Sequence, residues 1–205
     1  MMNLRNICIS GLIVSTLVVF KNLLSKLYPL EFESLLTSNP GISVGFIIEY
    51  TLIYAHFIIL LIYLHKKRYI VAALVWLVQV FMFTWFFYFM HHYYNSDVEL
   101  MNFVAKIKMS IQMMAIMTLI TGTIFVISYS RARIWLRVFG YMMILGAIPM
   151  LKEDLMREYL TVYIYFSAFI PAPLIINYWL ELKKLKADQN VQESDVLDND
   201  LEPIV

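Results

Sequence analysis

The chain has 205 residues, 61% of them hydrophobic and only 15% charged, with a formal net charge of +1. Soluble domains are roughly half apolar, so this composition excludes an ordinary soluble domain and points to a membrane protein. A single cysteine, Cys8, excludes an internal disulfide and a Cys-rich zinc site, and no basic surface with its own fold is present for nucleic acid.

A spanning helix needs about 20 mainly apolar residues to cross a hydrocarbon core about 30 Å thick. Six runs qualify, near residues 6–27, 42–64, 69–90, 107–129, 134–151 and 159–180, the fifth being the shortest. Backbone groups in lipid must be satisfied within the segment, and the ~10-residue alternation of barrel strands is absent, so the runs are read as helices. The expected fold is an all-α integral membrane protein: a six-helix transmembrane bundle over residues 1–187, followed by a short disordered acidic tail over 188–205.

The first run follows Arg5 and stays apolar from Ile7 to Phe20, a pattern shared with secretory signals. No A-x-A-like cleavage site follows, so it reads as a first span. Lys21 falls in its outer third, where a long stem can carry the ammonium to the surface or to a partner such as Glu49. Pro29 then opens a stretch over 30–36 that mixes apolar and acidic residues before the Asn39, Pro40, Gly41 turn, and a short interfacial helix fits there.

The second run contains Glu49, and an acidic side chain within a span is costly and usually faces the bundle interior or water. His56 follows seven residues later on the same face, about 10 Å along the axis. A water, a substrate or another helix would have to bridge the two, as in a proton relay or a site for a cationic group. Glu49 alone, near the outer end, can also snorkel or pair structurally.

In the third run, Gln79 is read as an interhelical hydrogen-bond partner and as a candidate member of an intramembrane polar site. Its outer end carries Trp85, Phe86, Phe87, Tyr88, His91, His92, Tyr93 and Tyr94, an interfacial aromatic belt. The adjacent histidines lack metal-ligand spacing, and only His56 lies deep enough for haem ligation. No metal and no cofactor are expected.

The fourth run places Ser110, Thr118, Thr121 and Ser128 close to one stripe and adds Gln112, all read primarily as packing polar groups. Small residues four apart, namely Gly11 with Ser15, Thr118 with Gly122 and Ala168 with Ala172, permit close helix approach. The sixth run holds Pro171 and Pro173 near its centre, which removes two backbone donors and predicts a kink or hinge. Six of the fifteen acidic residues lie in the last eighteen positions, which hold no aromatics, so a disordered tail is expected there.

Orientation follows from the short connections. Arg5, then Lys66, Lys67 and Arg68, then Arg131, Arg133 and Arg137, then Lys183, Lys184 and Lys186 fall on one side of a six-span chain; the other connections carry Glu31, Glu33, Asp97, Glu99, Glu153, Asp154 and Glu158. Both termini are expected to be cytoplasmic, in the cell (inner) membrane. No catalytic motif occurs, so no enzyme is expected. The expected role is a non-catalytic accessory, assembly or immunity-type protein acting through contacts with the bilayer and another membrane protein. The alternative is a small transporter or proton-coupled carrier whose unidentified small-molecule substrate meets Glu49, His56 and the kinked sixth helix.

Overall fold

A computed structural model of the chain describes residues 3–27, 44–94, 100–128, 133–151 and 160–199. Among them the structure is all-helical: α1 (Leu4–Leu27), α2 (Val44–Lys66), α3 (Ile70–Tyr94), α4 (Leu100–Ile127), α5 (Ile134–Leu151), α6 (Leu160–Phe169) and α7 (Ala172–Asn199). Three segments, Leu4–Ser25, Lys108–Ile127 and Ile134–Leu151, are long and apolar enough to cross a membrane, and Tyr50–Lys66 and Ile70–Phe86 are shorter apolar helices. The short helix expected over 30–36 lies outside the described residues.

Apart from α7, whose second half is polar, these helices are apolar on nearly all faces, a pattern found where a helix is buried throughout or sits in lipid. The outward faces retain large apolar side chains, with Phe81 68%, Trp85 61% and Ile127 73% exposed. Contiguous apolar surface of this kind is poorly tolerated in water. The fold thus fits a membrane-embedded protein.

The helices close into a ring. α1 packs on α2, α2 on α3, α3 on α4 and α4 on α5; α5 meets α6 and α7, and both return to α1. Sequential neighbours run antiparallel: between α2 and α3, Phe57 meets Trp76 while Tyr54 bonds to Thr84, and between α4 and α5, Gly122 meets Gly140 and Ile144 while Val126 meets Arg137. The described basic residues of the α2–α3 turn and of the start of α5 therefore gather with the middle of α7 at one end, called here the basic end. There, Lys67 of the α2–α3 turn pairs with Glu181 of α7, Arg133 stacks over Tyr69 with its guanidinium carbon 4.3 Å from the ring centroid, and Arg137 Nε donates to the Val126 carbonyl at 3.0 Å. Carbonyls in a last helical turn lack intrahelical donors and carry partial negative charge, so a cation there is favourable.

Two local features set the geometry. The α2–α3 turn is closed by Tyr69 N–H donating to Leu64 O at 2.9 Å and Arg68 N–H donating to His65 O at 3.0 Å, the paired bonds of a Schellman motif. Its left-handed position is held by Arg68 at φ 60° rather than by glycine. At the α4–α5 contact, a Cβ on Gly122 would lie 2.7 Å from the Gly140 carbonyl oxygen and one on Gly140 would lie 2.6 Å from that of Gly122. The two backbones touch there because neither residue has a side chain.

Three boundaries depart from the sequence reading. α4 begins at Leu100 rather than near 107, because Ala105, Lys106 and Lys108 are good helix formers and hydropathy marks lipid depth rather than helix ends. The sixth run is two helices, interrupted at Ile170 and Pro171. The tail expected to be disordered from Asp188 is instead helical as far as Asn199. No Gly or Pro occurs between Leu174 and Glu202, and extending an existing helix costs far less than nucleating one.

Candidate functional site

The ring lines a half-open cavity of about 280 Å³ to which every helix except α7 contributes a described lining residue. Val18 and Asn22 come from α1; Ile53, His56 and Phe57 from α2; Trp76, Gln79 and Phe83 from α3; Thr118 from α4. Phe139, Met143, Gly146 and Met150 line it from α5, and Ser167, Ile170 and Pro171 from the end of α6 and the break beyond it.

The polar groups in this apolar setting are held in place by specific bonds. His56 is 7% exposed, and its Nδ1 lies 3.2 Å from the hydroxyl of Ser15, which is wholly buried. Ser15 can sit there because α1 approaches α2 closely at this small residue. Gln79, also 7% exposed, donates from Nε2 to Thr118 Oγ1 at 2.9 Å, and Thr118 passes its own proton to the Met114 carbonyl at 2.8 Å. The Thr121 hydroxyl, bonded to Met117 O at 2.8 Å, lies 3.4 Å from Gln79 Oε1. Gln79 is thus an interhelical tie and a cavity wall at once.

An aromatic wall fixes the cavity shape. Phe57 meets Trp76 edge to face with centroids 5.2 Å apart and Phe83 at 5.0 Å. Trp76 donates its indole N–H to the Phe57 carbonyl at 3.0 Å and packs against Phe125 and Phe139. A buried Trp must place its N–H on an acceptor, and this bond sets the ring plane along the cavity.

Toward the basic end the cavity is sealed. Tyr63 and Tyr178 stand edge to face with centroids 5.2 Å apart, and Asn177 Nδ2 donates to Tyr63 Oη at 3.0 Å. A Cβ on Gly11 would fall 2.6 Å from the Tyr178 ring, so glycine is what lets that ring lie across α1. One turn further along α2 and α7, Lys67 and Glu181 close the same gap with an ion pair.

The structure distributes the sequence-predicted residues unevenly. His56, Gln79 and Pro171 meet at the cavity. Pro173 is buried in the first turn of α7. Lys21 is half-buried in α1, next to the cavity residue Asn22, and is engaged by neighbours. The backbone of Glu49 belongs to α2, but its side chain lies outside the described residues, as do those of His91 and His92. Among the described residues no group of three His, Cys, Asp or Glu side chains comes together.

Sequence reasoning passed over Asn22, Trp76 and Ser167 as cavity residues and did not single out Asn177. An amide within an apolar run was available as a signal for Asn177, just as it was for Gln79. No family model matches the chain, and no curated protein and no solved structure matches it either.

Proposed function

We propose that the chain crosses the cell membrane six times, with both termini on the cytoplasmic side, and serves as a small carrier that binds its cargo in the central cavity. The observation that supports this reading most is that His56 and Gln79 line one half-open cavity, which the break at Ile170 and Pro171 borders. Ligand pockets in proteins are mostly apolar with a few fixed polar groups, and interrupted helices beside such a site are a recurrent feature of transporters. The seal of Tyr63, Tyr178, Lys67 and Glu181 supports a closed cytoplasmic side. The gathered Lys and Arg residues support that side being cytoplasmic.

Action by contact alone is the second reading. It is favoured by a surface groove of about 380 Å³ between α3 and α4, lined by Met82, Trp85, Phe86, Lys106 and Met109 among others. Methionine-rich apolar grooves adapt to acyl chains or to a partner helix.

Mass spectrometry of gently solubilised protein separates the two. A carrier retains a small molecule that is lost from Gln79→Leu and His56→Ala. A contact protein retains a protein partner, and its small-molecule content is the same in wild type and variants. Reporter fusions in the 67–69 turn test the topology; an extracellular signal there would reverse it.

A further inference from the structure

The wall chemistry defines the cargo more closely than the carrier reading, on which this inference rests. Gln79 uses one of its two N–H bonds on Thr118, and its oxygen has only the Thr121 hydroxyl at 3.4 Å. A carboxamide carries two donors and an oxygen with two lone pairs, so donor and acceptor capacity remain at the cavity surface. His56 commits Nδ1 to Ser15, which leaves Nε2 as a further polar group. Phe57, Trp76 and Phe83 supply an aromatic wall beside them.

Charge decides the class. No Asp, Glu, Lys or Arg side chain lines the cavity among the described residues, where His56 is the one titratable group, and an ion brought out of water against these apolar walls is costly unless an opposite charge meets it. Size narrows it further, because pockets for drug-sized ligands begin near about 300 Å³ and this cavity measures about 280 Å³. We propose that it takes a neutral, planar aromatic molecule of one or two rings carrying a carboxamide or lactam group, stacked on the aromatic wall and hydrogen-bonded to Gln79 and His56.

Benzamide, benzoate and benzamidinium share a ring and nearly the same outline but differ in charge, so together they test the class. Isothermal titration of each into the full chain in zwitterionic nanodiscs should show saturable benzamide binding at least tenfold tighter than either ion. Gln79→Leu should weaken it about tenfold, the size of one lost hydrogen bond in a desolvated site. The comparison of probes uses the wild-type chain, so it stands even if a variant misfolds. Tighter binding of benzamidinium, lost in Glu49→Gln, or of benzoate would overturn the neutral class while keeping the carrier reading. Benzamide binding unchanged in a folded Gln79→Leu protein would overturn the assignment to this wall. Saturable binding of no probe would sink the proposal, and the carrier reading would then stand only if a co-purified small molecule is lost from His56→Ala.

Discussion

Replacing Gly140 with alanine perturbs the α4–α5 contact in a way whose size can be worked out. The new Cβ would sit 2.6 Å from the Gly122 carbonyl oxygen and 2.8 Å from Phe125 Cβ, whereas ordinary contact begins at 3.4 Å. Neither obstacle is a flexible side-chain tip, so the helices must separate by close to 0.8 Å. That shift pulls Phe125 away from Phe139 of α5, with which it packs at a centroid distance of 5.4 Å. Overpacking of this kind costs about 1–3 kcal/mol, while alanine in a helix gains roughly 1 kcal/mol over glycine. The expected net loss is about 1 kcal/mol, or roughly 2–4 °C in Tm for a chain of this length. Thermal unfolding of the purified protein followed by tryptophan fluorescence measures it. Gly122→Ala should behave alike, and the double variant should lose less than the two singles combined, because helices already separated accommodate the second methyl. A higher Tm for Gly140→Ala, or strictly additive losses, would refute the backbone contact.

Three further outcomes are expected. Arg68→Gly should raise stability by up to about 1 kcal/mol, since a side chain at φ 60° is strained and glycine is the ordinary residue at this position of a Schellman motif; an unchanged or lower Tm would argue against that conformation. Tyr63→Phe should cost about 1–3 kcal/mol by leaving a buried Asn177 N–H without its acceptor, and adding Asn177→Leu should recover part of it. Glu181→Gln should destabilise by about 1–3 kcal/mol, because the Lys67 pair is only 17% and 15% exposed and removing one partner strands the other charge. A chemical-denaturation series that places either of the last two within error of wild type would show that the seal contributes nothing to stability.

The sequence specified most where chemistry is local. Apolar runs marked the helices, and the bounds of α5 coincide with the run at 134–151. Two prolines marked the place where the last run is divided, because a missing N–H acts on its own turn. Gln79 was legible as an interhelical tie, which its bond to Thr118 makes. What stayed hidden depends on which face of each helix turns inward. Helices apolar on every side give no periodic stripe to read, so the ring and the inward placement of Trp76 or Phe139 could not be derived. Long-range pairs were hidden for a similar reason: Lys67 with Glu181 and Tyr63 with Asn177 are each 114 positions apart. Arg68 in a left-handed turn carries no signature at all, since the residue normally expected there is glycine.

The ring is closed by its first and last members, α1 against α6 and α7, and that has a consequence for biosynthesis. A chain made from its N-terminus has α1 to α5 in place as an open crescent before the closing helices exist. Until they arrive, the face of α1 carrying Gly11 lacks the Tyr178 ring that covers it in the finished fold. Closing this contact spans nearly the whole sequence and therefore belongs to the slow, non-local class of folding steps. Truncation before α6 should yield a protein that inserts but forms no cavity, with a vacant seam open to any helix that can fill it.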